Sequence, residues 1–96
     1  MYEIVQTETF TQWFRELKDR RAKDIIKSRV ERAAMGNFGD WKTEDGEVRA
    51  MRIDYGPGYR LYYTIRGRRV IILLCGGDKR TQEADIRKAR TLLEEK

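Results

Sequence analysis

The chain has 96 residues, with 21 Lys or Arg against 16 Asp or Glu and a net charge of +5, so it reads as a single small domain spanning 1–96 with a polyanion as its natural partner. Its apolar fraction of 40% is patterned as in a folded chain, but so short a domain buries only roughly 60–65% of its unfolded surface, leaving no space for a cofactor-binding subdomain. The absence of histidine excludes Ser/His/Asp and Cys/His catalysis and His-liganded zinc; with Cys75 the only cysteine, neither an internal disulfide nor a transition-metal site is expected.

YEIVQ (2–6) alternates weakly and predicts a short strand. Thr7 or Thr9 can cap the helix that follows, and Thr9 with Gln12 has capping-box spacing. Phe10, Trp13, Phe14 and Leu17 fall on one helical face, which KDRR (18–21) interrupts. Ile25, Ile26, Val30, Ala33 and Ala34 form the stripe of a second helix, so the two make a hairpin with a basic outer surface.

MGNFGDWKTEDGE (35–47), rich in Gly, Asn and Asp, predicts a loop. VRAMRID (48–54) predicts a strand with Arg49 and Arg52 outward, and Gly56-Pro57-Gly58 turns the chain. In YRLYYTI (59–65), Tyr59, Leu61, Tyr63 and Ile65 take one face, and Arg60, Tyr62 and Thr64 the other. A tight turn at Gly67 leads into VIILLC (70–75), apolar on both faces and so a strand of the sheet interior that holds Cys75 as a core thiol. After GGDKR a last helix begins, with Thr81 as N-cap and Ile86, Ala89, Leu92 and Leu93 as its buried stripe. The expected order is β-α-α-β-β-β-α, an α+β domain with an antiparallel meander and its helices on one face. No basic leader with an apolar core opens the chain, and no apolar run is long enough to span a membrane, so the expected setting is cytoplasmic, without a membrane partner.

Hairpin pairing of 59–65 with 70–75 brings Arg60 and Lys79 to one end of the sheet, and the strand before them adds Arg52. Such a cluster favours an anion, with RNA phosphate the best fit. Attack of a 2′-hydroxyl on the neighbouring phosphate builds charge on the phosphorane oxygens, and fixed Arg and Lys donors stabilise it by ~3–4 kcal/mol each without a metal. Crowded positive charge also lowers the pKa expected of a nearby lysine or tyrosine, which makes Tyr62 a candidate beside Arg60. No eight-residue phosphate-binding loop and no metal-loop spacing is present.

GPGYRLYY (56–63) and LLCGGDKRTQEADI (73–86), in that order and at this length, resemble the RelE/ParE toxin superfamily, in particular the HigB-like "addiction module killer" proteins of bacterial type II toxin–antitoxin systems. TETFTQWFRELKDRRAKDII and GNFGDWK carry the resemblance over the whole chain. It implies the RelE fold, entry into the ribosomal A site and metal-independent cleavage of mRNA. It also implies an antitoxin with a helix-turn-helix region, operator DNA being contacted only through that partner. Arg60 aligns with the arginine of the family's GYR strand, Lys79 falls where RelE has a second catalytic arginine, and Arg52 falls near one of its strand lysines. Asp85 stands about where RelE has a catalytic tyrosine, so Tyr62, Lys79 and Asp85 are alternative bases, and the ribosome is another source of help. Arg80, Arg49 and Gln82, with the bare backbone of Gly76 and Gly77, are the groups expected against RNA. The other branch of the superfamily, ParE, poisons DNA gyrase without nuclease chemistry; an inactive antitoxin-binding homologue is a third reading.

Overall fold

The computed structural model describes residues 1–95. Among them the chain forms β1 (Glu3–Gln6), α1 (Glu8–Glu16), α2 (Arg20–Ala34), β2 (Trp41–Asp45), β3 (Val48–Ile53), β4 (Tyr59–Arg66), β5 (Val70–Asp78), a 3-10 turn (Lys79–Thr81) and α3 (Gln82–Glu94). The five strands make one sheet in the order β1-β5-β4-β3-β2.

The α+β class holds, and the expected order is corrected in three respects. First, 41–45 is a strand, not loop: β2 pairs antiparallel with β3 through the turn at Gly46, which has φ +59°. WKTED lies exposed at the sheet edge, so hydropathy does not mark it; Asp45-Gly46 was the available hairpin signal. Second, β1 runs parallel to β5, so the sheet is mixed. Third, the helices lie on both faces. Phe10, Ala22, Ile26, Met51, Leu61, Tyr63, Ile71 and Leu73 form the core beneath α1 and α2. Val48, Ala50, Tyr62, Leu74, Cys75, Ala89 and Leu93 form a second core beneath α3. β3, β4 and β5 are therefore buried on both sides.

The caps explain where the helices begin. Thr7, not Thr9, starts α1: its hydroxyl oxygen accepts the Phe10 N–H at 3.0 Å while the hydroxyl donates to the Leu74 carbonyl at 2.7 Å, tying the helix to β5. Asp19 starts α2 by accepting the Arg21 and Ala22 N–H groups, and the Tyr55 hydroxyl donates to its other oxygen at 3.0 Å. The Ala22 N–H first, then the Tyr55 hydroxyl, hold the Asp19 carboxyl below its ordinary range. Thr81 does not cap α3 with its side chain; Asp78 caps the preceding 3-10 turn, accepting the Arg80 N–H at 2.8 Å.

A bulge between Tyr62 and Tyr63 places Leu74 and Cys75 together on the α3 face. It shifts the alternation of everything after it: Gly76 turns toward α1 and Gly77 toward α3.

Candidate functional site

Strand register builds the cationic end of the sheet. Arg52 of β3 lies opposite Arg60 of β4, and Arg60 opposite Gly77 of β5. Lys79 follows at the start of the 3-10 turn, its methylenes passing over Gly58, where a Cβ would lie 3.0 Å from Lys79 Cγ and Cε. Gly58 has φ +82°, so this position needs glycine both for its backbone and for the lysine above it. Asp40, Arg52, Ile53, Asp54, Gly58, Arg60 and Lys79 line an open cleft of about 310 Å³.

Arg60 is the unusual member. It is only 9% exposed, yet among the described residues its side chain forms no hydrogen bond and no ion pair, and its Nε is enclosed without a partner. An enclosed guanidinium N–H without an acceptor is costly, and an anion in the cleft could supply one. Arg52, by contrast, is paired: its Nε and Nη2 both donate to Asp40 Oδ1, at 3.1 and 2.6 Å.

The remaining candidates fall elsewhere. Tyr62 shares the Arg60 face, but it is fully buried under α3 and its hydroxyl has no partner among the described residues. Burial, reinforced by the Asp85 and Glu44 carboxylates, pushes its pKa up, the reverse of the lowering expected from crowded positive charge. Asp85 is buried on Gly77 and its Oδ2 accepts the Thr81 hydroxyl at 2.5 Å. Arg80 folds back on Asp78, donating through Nη2 at 3.0 Å, and this pairing holds the Asp78 carboxyl down. Arg49 projects from the opposite face, 5.2 Å from the Trp41 ring centroid. Gln82, the first residue of α3, lies outside the cleft lining.

Gly76 and Gly77 are bare for a reason internal to the fold. A Cβ on Gly76 would overlap the Trp13 indole, and one on Gly77 the Asp85 carboxylate. Cys75 donates its S–H to the Asp85 carbonyl at 3.4 Å, and burial pushes its pKa up to about 12, so it is a core thiol.

Asp40 and Arg29 escaped the reading of the sequence. Arg29 of α2 donates through Nη1 to the Arg52 carbonyl at 2.7 Å and through Nη2 to the Phe38 and Asp40 carbonyls at 3.1 and 3.2 Å. It thereby fastens the loop before β2 to the end of β3. In the sequence it is one of many cations on a basic helix, with nothing to single it out.

A five-stranded mixed sheet with helices on both faces defines an α+β fold. It matches a chain of the crystal structure of the intact E. coli RelBE toxin–antitoxin complex with a TM-score of 0.68, over 81% of this chain and 96% of that one, at 15% sequence identity. No family model matches the sequence. An uncharacterized protein of Haemophilus influenzae is 45% identical over 93 residues, covering 97% of this chain and 94% of the relative. The chain belongs to the family of that protein.

Proposed function

We propose that the chain is the HigB-like toxin of a type II toxin–antitoxin system and cleaves mRNA on translating ribosomes in the bacterial cytoplasm. The observation that carries this reading is Arg60, nine-tenths buried and without an ion-pair partner among the described residues, at the wall of a cleft it shares with Lys79 and Arg52. The likeness to a chain of the RelBE complex supports a toxin with an antitoxin partner. That partner carries a helix-turn-helix region and is the route to operator DNA. In the cleft Arg60 and Lys79 hold the scissile phosphate and stabilise charge on its oxygens as the 2′-oxygen attacks. Arg52, already paired to Asp40, contributes less free charge.

The test is a purified translation system with a reporter mRNA, read by primer extension. Cuts are expected only when ribosomes translate. Arg60→Ala and Lys79→Ala are expected to slow cutting by about 10²–10³ each, as loss of an oxyanion donor does. Both variants should fold, because neither side chain makes an ion pair among the described residues. Intact message with normal translation would sink the nuclease reading, and a DNA supercoiling assay then tests the gyrase alternative.

A further inference from the structure

The cleft contains carboxylates as well as cations, and one of them is held in place. The two Arg52 hydrogen bonds both end on Asp40 Oδ1, at 3.1 and 2.6 Å. Among the described residues Oδ2 accepts nothing, and the Asp40 side chain stays 58% exposed. The Asp40 carbonyl accepts the Arg52 N–H at 2.7 Å and Arg29 Nη2 at 3.2 Å, so the main chain is pinned as well. Asp54, the other carboxylate of the cleft, has no hydrogen-bond or ion-pair restraint on its side chain among the described residues. Tyr62 and Asp85 are enclosed beneath α3 and do not line the cleft.

We propose that Asp40 is the general base of the cleft and takes the proton of the attacking 2′-hydroxyl through Oδ2. The proposal rests on the nuclease reading. As Asp40 accepts the proton, the 2′-oxygen bonds to phosphorus and the P–O5′ bond breaks with its electron pair on O5′. The Lys79 ammonium protonates O5′. The products are a 2′,3′-cyclic phosphate and a 5′-hydroxyl, and solvent returns the proton from Asp40 to Lys79. Arg52 from β3, Arg29 from α2, and Arg60 and Lys79 across the cleft face Asp40 with positive charge; Asp54 is the acidic neighbour. Arg52 thus serves as a positioning residue that leaves one Asp40 oxygen free.

The experiment compares the full-length wild type, Asp40→Asn, Arg52→Gln and the double variant on ribosomes translating a reporter mRNA, under single-turnover conditions and over a range of pH. Binding is measured separately by co-sedimentation with ribosomes stalled on a codon that carries a 2′-deoxy nucleotide at the cut site. Asp40→Asn is expected to bind normally and to cut about 10²–10⁴ more slowly, and any rise of rate with pH in the wild type should be absent from it. A larger loss in Arg52→Gln than in Asp40→Asn, with the double variant matching Arg52→Gln, would show that Asp40 only holds Arg52 and overturn the proposal. Wild-type cutting by Asp40→Asn, or loss of its ribosome binding, overturns it too while leaving the nuclease reading intact. A wild type that cuts no message overturns both.

Discussion

Gly76 and Gly77 show how much a single position on β5 must satisfy. One lies under the Trp13 indole and the other under the Asp85 carboxylate, so the fold itself requires both to be bare. Their absent side chains let α1 and α3 approach opposite faces of the same strand end. Gly77→Ala is expected to destabilise the fold by about 1–3 kcal/mol, the usual cost of forcing volume into a packed site. Removing the opposing carboxylate should return part of that loss: the Gly77→Ala/Asp85→Ala double variant should be less destabilised than the two single effects added together. Urea denaturation of the four proteins measures the coupling, and strict additivity would contradict the contact. Arg60 marks the other extreme at this scale, a buried residue whose Nε has no hydrogen-bond partner among the described residues.

At the scale of elements, two aspartates hold the start of α2 and the turn before α3. Asp19 caps α2 and accepts the Tyr55 hydroxyl; Asp78 caps the 3-10 turn and pairs with Arg80. Both carboxyls titrate below their ordinary value of 3.8 in the folded chain. The unfolded chain therefore takes up protons first on acidification. The stability these groups contribute is complete above pH 3.8 and is lost as pH falls through their lower folded values. Thermal midpoints should accordingly drop on the acid side of that point. Asp19→Asn keeps a capping oxygen but no charge, so its midpoint should be lower at neutral pH and should change less on acidification. An unchanged acid dependence in Asp19→Asn would remove that group from the account.

For the molecule as a whole, the count of 21 Lys and Arg overstates the unpaired cations a polyanion meets. Lys42, Arg52, Arg66, Arg80 and Arg90 lie within 4.0 Å of carboxylate oxygens. Lys79 has no such partner among the described residues and opens onto the cleft. Under the proposed function, ribosome binding should weaken as salt rises, and Lys79→Ala should lower the slope of log affinity against log salt by about 1, the signature of one lost phosphate contact. Arg80→Ala should change that slope less, because Asp78 already compensates its charge. Equal slopes for the wild type and Lys79→Ala would place Lys79 outside the phosphate contact.

Much of this protein was legible from its sequence alone. Helical spacing marked the buried faces of α1, α2 and α3, and strict alternation assigned Tyr59, Leu61 and Tyr63 to one side of β4 and Arg60 and Tyr62 to the other. Hairpin pairing brought Arg60 and Lys79 to one end of the sheet, because consecutive antiparallel strands constrain which residues meet. Local patterns carry that information, since each depends on residues close together along the chain. Tertiary structure alone decided the rest. An exposed edge strand such as β2 buries too little to leave a hydropathy signal, and the parallel pairing of β1 joins segments more than sixty residues apart. The bulge that turns Gly76 and Gly77 to opposite helices changes no composition, and α3 covering Tyr62 reverses the pKa shift expected of that tyrosine. Asp40 enters the cleft because Arg29 and Arg52, from two other elements, hold its backbone and one oxygen. Burial and long-range contact set those properties, and neither exists until the chain has closed on itself.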